Sequence, residues 1–120
     1  MTEAAAEPTL FERIAAREIP AQIVAETDRV IAFHDIAPKA PVHVVVTTKE
    51  QGGSRDVVEL AAGDPALLAE LVAVAHGIAD DLADGDFRLV FNTGGGAGQT
   101  IFHVHAHVLA GGLQEASLAG

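Results

Sequence analysis

The chain contains no cysteine. Disulfides, a redox dithiol, a thiolate-ligated zinc and catalysis by a thiol are therefore excluded, and a reducing compartment is compatible. Basic residues are scarce: seven Lys and Arg stand against seventeen Asp and Glu, a formal net charge of −10, and protonating all six histidines would still leave −4. Gripping nucleic acid through its phosphates, or adhering to an anionic membrane, needs the opposite balance. Neither partner is expected, and any bound phosphate has to be held by local donors. No run of about 18 uncharged apolar residues occurs, and the opening MTEAAAEPTL lacks the basic and apolar regions of a signal peptide. These features point to a cytoplasmic protein.

What is present is a 120-residue chain, 49% hydrophobic and 20% charged. That suits one globular domain which buries about two-thirds of its surface on folding. Residues 1–8 read as a flexible tail. Thr9-x-x-Glu12 can form a capping box for a short helix carrying Leu10, Phe11 and Ile14, ended by Pro20. Residues 22–26 and 30–34 read as a hairpin around Thr27-Asp28-Arg29, and residues 42–47, dense in valine, as a central strand with His43 embedded in it. Residues 49–63 are polar and interrupted by glycine, so they read as loop or weak helix. Asp64 followed by Pro65 starts a long helix whose apolar positions keep helical spacing to Leu82. A strand over 87–91 leads through Asn92 into the loop Thr93-Gly94-Gly95-Gly96-Ala97-Gly98-Gln99, and a last strand is expected over 101–109 before Gly111-Gly112. The chain offers no internal repeat.

The last strand carries the chemistry. Its odd positions are Ile101, His103, His105, His107 and Leu109; its even positions are Phe102, Val104, Ala106 and Val108. A period of two places imidazoles on one face and apolar groups on the other. Neighbouring cations repel, so the imidazoles are expected to be neutral near pH 7, with lone pairs that suit a nucleophile, a general base or a metal ligand. Half of the six histidines lie within these five residues, and such clustering argues for a site. A metal centre would need a closing ligand, for which Asp35, His34 and His43 are candidates. The glycine loop adds backbone donors that can approach an anion closely, with Gln99 and Thr100 at the mouth of the strand.

His103-Val104-His105-Ala106-His107-Val108-Leu109 matches the His-x-His-x-His signature followed by two apolar residues. In this the chain resembles the histidine-triad family. The Hint branch is most similar, on Ala32-Phe33-His34-Asp35-Ile36, Ala40-Pro41-Val42-His43, Gly98-Gln99-Thr100 and Gly111-Gly112, with Leu10-Phe11 and Glu18-Ile19-Pro20 also fitting. The resemblance spans about residues 9–113, leaving 114–120 as a tail. Gln at the third histidine position would instead mark the transferase branch.

The resemblance implies an α+β fold: a mostly antiparallel five-stranded sheet with one long and one short helix, the sheet extended across a homodimer. It implies hydrolysis or transfer at the α-phosphate of a purine nucleotide, an AMP or GMP conjugate, through a covalent nucleotidyl-histidine on His105, without cofactor or metal. His43 and His103 would form a relay fixing the tautomer of His105, and His107 would contact the phosphate. Asn92 would hold the α-phosphate, with Gly98, Gln99 and Thr100 at the phosphate or leaving group. Asp35 would accept the ribose hydroxyls, and Leu10, Phe11, Ile14, Phe33 and Ile36 would enclose the purine. Two departures matter: the tail lacks the Trp that some Hint proteins place near the leaving group, and the cysteine ligands of zinc-bearing members are absent. The rival readings are a dinucleoside polyphosphate hydrolase, a nucleotide-binding scaffold without turnover, and a histidine metal site.

Overall fold

The structure, a computed structural model, describes residues 7–114. Residues 1–6 and 115–120, most of the two expected tails, lie outside the described residues. Five strands, β1 (Ile23–Glu26), β2 (Val30–His34), β3 (Val42–Thr48), β4 (Arg88–Val90) and β5 (His105–Ala110), form one sheet in the order β1-β2-β3-β5-β4, with every pair antiparallel. Alternation gives each strand two faces. Val30, Ala32, Val44, Val46, Ala106 and Val108 point to a core completed by Leu60, Leu71, Ala75 and Ile78. On the opposite face Phe33 and Val45 pack with Phe11 and Ile14.

There are three α-helices rather than one long and one short: α1 (Leu10–Ala15), α2 (Val57–Gly63) and α3 (Pro65–Ala83). α1 has the expected capping box, with Glu12 N–H donating to Thr9 Oγ1 and Thr9 N–H to Glu12 Oε1. It stops five residues before Pro20, where Arg17 takes the left-handed φ of 64°. α2 falls in the segment expected to be loop or weak helix. Its start is capped by Asp56, which accepts from Glu59 N–H, and its single buried side chain is Leu60. With one buried position in seven residues, the helix offers almost no periodic signal. α3 opens on the Asp64 cap and Pro65, and closes at Asp84 and Gly85, both left-handed.

The last strand is shorter than its alternation predicts. Residues 101–104 leave the ladder: Val104 N–H donates to Ser54 O, and Val104 O accepts from Thr47 Oγ1. Pairing begins where Thr47 faces His105 and continues through Val45 with His107 and His43 with Leu109. His103 therefore precedes the strand, although its ring, like that of His105, packs edge-on against Phe11.

Candidate active site

The sheet face opposite α2 and α3 carries a cavity of about 400 Å³, within the roughly 300–1,000 Å³ range of small-molecule sites. Leu10, Phe11 and Ile14 of α1, with Phe33, Ile36 and Val45, give it an apolar wall; Asp35, His43, Asn92, Gly98, Thr100, His105 and His107 give it polar groups. Ile36 is 96% exposed although it lines the cavity, so the apolar rim stands open. Twelve of the fourteen residues singled out in the sequence line it; His103 and Gln99 do not. Ala37, Lys39, Val45, Val90, Ile101 and Leu109 line it without having been foreseen as site residues. Val90 and Leu109 were legible only as strand residues, and Lys39 only as part of a turn.

Hydrogen bonds fix the form of each histidine. His105 Nδ1 lies 2.7 Å from His103 O. A carbonyl can only accept, so Nδ1 carries the proton and Nε2 keeps its lone pair. The ring centroids of His105 and His107 lie 5.3 Å apart, edge to face. A second chain begins at the Lys39 backbone N–H, which donates to His43 Nδ1 over 2.9 Å. His43 Nε2 then holds the proton and donates it to His107 Nδ1, also over 2.9 Å, with Asp35 Oδ2 3.4 Å from the same nitrogen. His107 in turn keeps its proton on Nε2. The relay from His43 thus sets the tautomer of His107 rather than of His105.

His103 is fully buried. Its Nε2–H donates to Thr48 O at 2.7 Å, and its Nδ1 accepts from Thr9 Oγ1 at 2.6 Å. Both nitrogens are therefore spent on structure, and its contribution to His105 passes through its backbone carbonyl. Gln99 is likewise buried and saturated: Oε1 accepts from Gly94 N–H, and Nε2 donates to Arg55 O and Ile101 O. The glycine loop closes on itself as a short 3-10 turn at Gly95–Ala97, which engages the amides of Ala97, Gly98 and Gln99. Asn92 and Thr100, which can donate hydrogen bonds without carrying charge, line the cavity.

Burial pushes the pKa of His43, His103 and His105 below the ordinary value; that of His107 falls to about 4, through burial first and then the neighbouring His105 and His43. All four are neutral near pH 7, as repulsion along the motif had suggested. Asp35, His43 and His107 each bring one potential metal-ligand atom within 4.8 Å of the others. The facing nitrogens of His43 and His107 already share a proton, however, so a cation there would have to replace it. His34 is exposed at the end of β2 and does not line the cavity.

The combination is specific: a lone pair fixed on one imidazole, a fixed N–H on the next, and an apolar slot beside them. The HIT domain pattern matches residues 16–112. The chain belongs to the HIT family. It is similar to the purine nucleoside phosphoramidase of Escherichia coli, with 37% identity over 108 residues covering 88% of this chain and 89% of that protein. It is also similar to the adenylylsulfatase HINT1 of Arabidopsis thaliana, with 36% identity over 106 residues, 87% of this chain and 71% of that one. Among solved structures, a HIT family hydrolase from Clostridium thermocellum superposes with a TM-score of 0.81 at 40% identity, covering 89% of this chain and 93% of the other. The α+β architecture of this HIT protein, with its five antiparallel strands, is that of its structural neighbours. Among its described residues no helix is long and apolar enough to cross a membrane.

Proposed function

We propose that this HIT protein hydrolyses purine nucleoside phosphoramidates at the α-phosphate through a nucleotidyl-histidine on His105. The observation that carries the reading is the His105 ring, with Nδ1–H tied to His103 O and Nε2 free in a cavity walled by Phe11, Ile14 and Phe33. Nε2 donates its pair to phosphorus, and the P–N bond breaks with its pair going to the departing nitrogen. That nitrogen takes up a proton from solvent and leaves as an amine. Water then attacks phosphorus, its proton is lost to solvent, and the pair of the His105–phosphorus bond returns to Nε2, releasing the nucleoside monophosphate. Two displacements replace one difficult hydrolysis.

His107 Nε2–H and the side chains of Asn92 and Thr100 supply neutral donors for the phosphoryl oxygens, which suits a chain of charge −10. The purine lies against Leu10, Phe11, Ile14, Phe33 and the open rim of Ile36, and Asp35 accepts the ribose hydroxyls. AMP and GMP conjugates both fit this description. We assign the protein to the cytoplasm and to a homodimer that extends the sheet, in which β4, the outer strand beside β5, provides the open edge.

The test is intact-protein mass spectrometry after a rapid quench free of acid, with an adenosine phosphoramidate and wild type beside His105→Ala. An adduct of about 329 Da on the wild type alone is expected for a covalent nucleotidyl intermediate. No adduct and no release of nucleoside monophosphate at micromolar enzyme would overturn the proposal in favour of a binding module. Faster release of nucleoside monophosphate from a dinucleoside polyphosphate than from the phosphoramidate would favour the polyphosphate reading.

A further inference from the structure

Residues 101–104 lie outside the ladder, so no neighbouring strand fixes the peptide groups just ahead of His105. Separate hydrogen bonds do so instead. Gln51 Nε2 donates to Phe102 O at 2.7 Å, and Val104 N–H donates to Ser54 O at 3.1 Å. Val104 N–H and His103 O belong to one planar peptide group, so holding the first aims the second. That carbonyl is the acceptor for His105 Nδ1–H.

The rest of the hold on His103 passes through its ring. Nε2–H goes to Thr48 O at 2.7 Å, with Thr48 Oγ1 2.9 Å away, and Nδ1 accepts from Thr9 Oγ1 at 2.6 Å. Thr9 caps α1 and does not line the cavity. A cap need only accept, here from Glu12 N–H, so the hydroxyl proton is the part that capping does not use. Given to Nδ1, it leaves Nε2 as the place for the ring's own proton. In the other tautomer a bare Nε2 would face the Thr48 carbonyl, two acceptors with no proton between them. Glu12 and His105 are the titratable groups that act on this ring, and the Glu12 carboxylate is engaged by Thr9 N–H and Gln51 N–H. Phe11, two residues along from Thr9, packs edge-on against both imidazoles, with ring centroids 5.4 Å from His103 and 4.8 Å from His105. A turn of the His103 ring therefore reaches His105 by two routes, the peptide carbonyl and the Phe11 ring.

Taking His105 as the nucleophile, and so resting on the phosphoramidase reading, we propose that Thr9 is a positioning residue for the reaction: its hydroxyl holds His103 in place in the Nε2–H form, and the His103 carbonyl keeps the His105 proton on Nδ1. Neither Thr9 nor His103 lines the cavity. Loss of the hydroxyl is therefore a loss of turnover, whereas loosening α1, which brings Leu10, Phe11 and Ile14 to the cavity, is a loss of binding.

The test uses the full chain as wild type, Thr9→Ser, Thr9→Val and Glu12→Gln, each assayed at a temperature where circular dichroism shows it folded. It reads kcat and KM for an adenosine phosphoramidate, and nitrogen NMR of the His103 and His105 rings. Thr9→Val keeps the shape and removes the hydroxyl; kcat is expected to fall roughly tenfold, the rate equivalent of about one hydrogen bond, with KM within about twofold and both rings no longer held in single tautomers. Should Thr9→Val not fold, Thr9→Gly, nearly as good a cap, takes its place. Thr9→Ser restores both kcat and spectrum. Glu12→Gln weakens the capping box and leaves the hydroxyl in place, so it raises KM while kcat and spectrum stay as in wild type. Equal falls in kcat for Thr9→Val and Glu12→Gln, or a Thr9→Val spectrum identical to wild type, overturn the inference and leave the phosphoramidase reading standing. Absence of turnover by wild type overturns both.

Discussion

Replacing Thr9 with Ala tests whether the N-terminal helix and the nucleophile are held by one polar network. Thr9 Oγ1 accepts from Glu12 N–H at 3.1 Å and donates to Nδ1 of the fully buried His103 at 2.6 Å. Losing the cap costs about 1 kcal/mol. Leaving a buried imidazole nitrogen without its donor costs about 1–3 kcal/mol more. The sum, about 2–4 kcal/mol, corresponds in a chain of this length to a fall in Tm of roughly 8–16 °C. Thr9→Ser keeps the hydroxyl and gives up one methyl group, about 1 kcal/mol or less. Urea unfolding and calorimetry on the two variants measure the difference, and nitrogen NMR of His103 reports whether it keeps its Nε2–H form. If Thr9→Ala and Thr9→Ser lie within about 1 kcal/mol of each other, the network does not hold α1 in the way described.

Two further outcomes follow from the same structure. The four site histidines have pKa values below the ordinary one in the folded state, so between that ordinary value, about 6.5, and about 4 for His107 the unfolded chain binds more protons. Stability is therefore fully present above about pH 7 and falls as pH drops through 6.5 toward 4; urea midpoints that stay level between pH 7.5 and 5 would contradict it. At Gly111, with φ +101°, an added Cβ would lie 2.9 Å from both Cβ and Cγ of Pro41, whereas at Gly112, with φ +73°, it meets nothing within 4 Å. Gly111→Ala should cost about 2–4 kcal/mol and Gly112→Ala about 1 kcal/mol, a contrast that thermal denaturation resolves; equal losses would show that the turn yields freely.

Much of the fold was legible because its signals are local. The Thr9 and Asp64 caps, the helical spacing through α3, the β-branched density of β3 and the alternation in β5 depend on residues a few positions apart. α2 was not legible, because one buried residue makes no period. Nor was the true start of β5, because alternation continues through residues whose hydrogen bonds go to Ser54 and Thr47 instead of a neighbouring strand.

At the site, the sequence by itself determined which residue types are present and that His105 and His107 face the same way two residues apart, since that follows from strand geometry alone. It also determined that no cysteine and no excess of positive charge can take part. Tertiary structure decided what each histidine does. The proton on an imidazole is placed by its partner, and those partners come from distant segments: Thr9 and Thr48 hold His103, while the Lys39 backbone sets His43 and through it His107. Gln99, beside the motif in sequence, is turned inward to hold a loop, and Lys39, unmarked in a turn between two prolines, is brought to the cavity with its charge unspent. Hydrogen bonding and burial act through space, so only the folded chain fixes which lone pair is free to react.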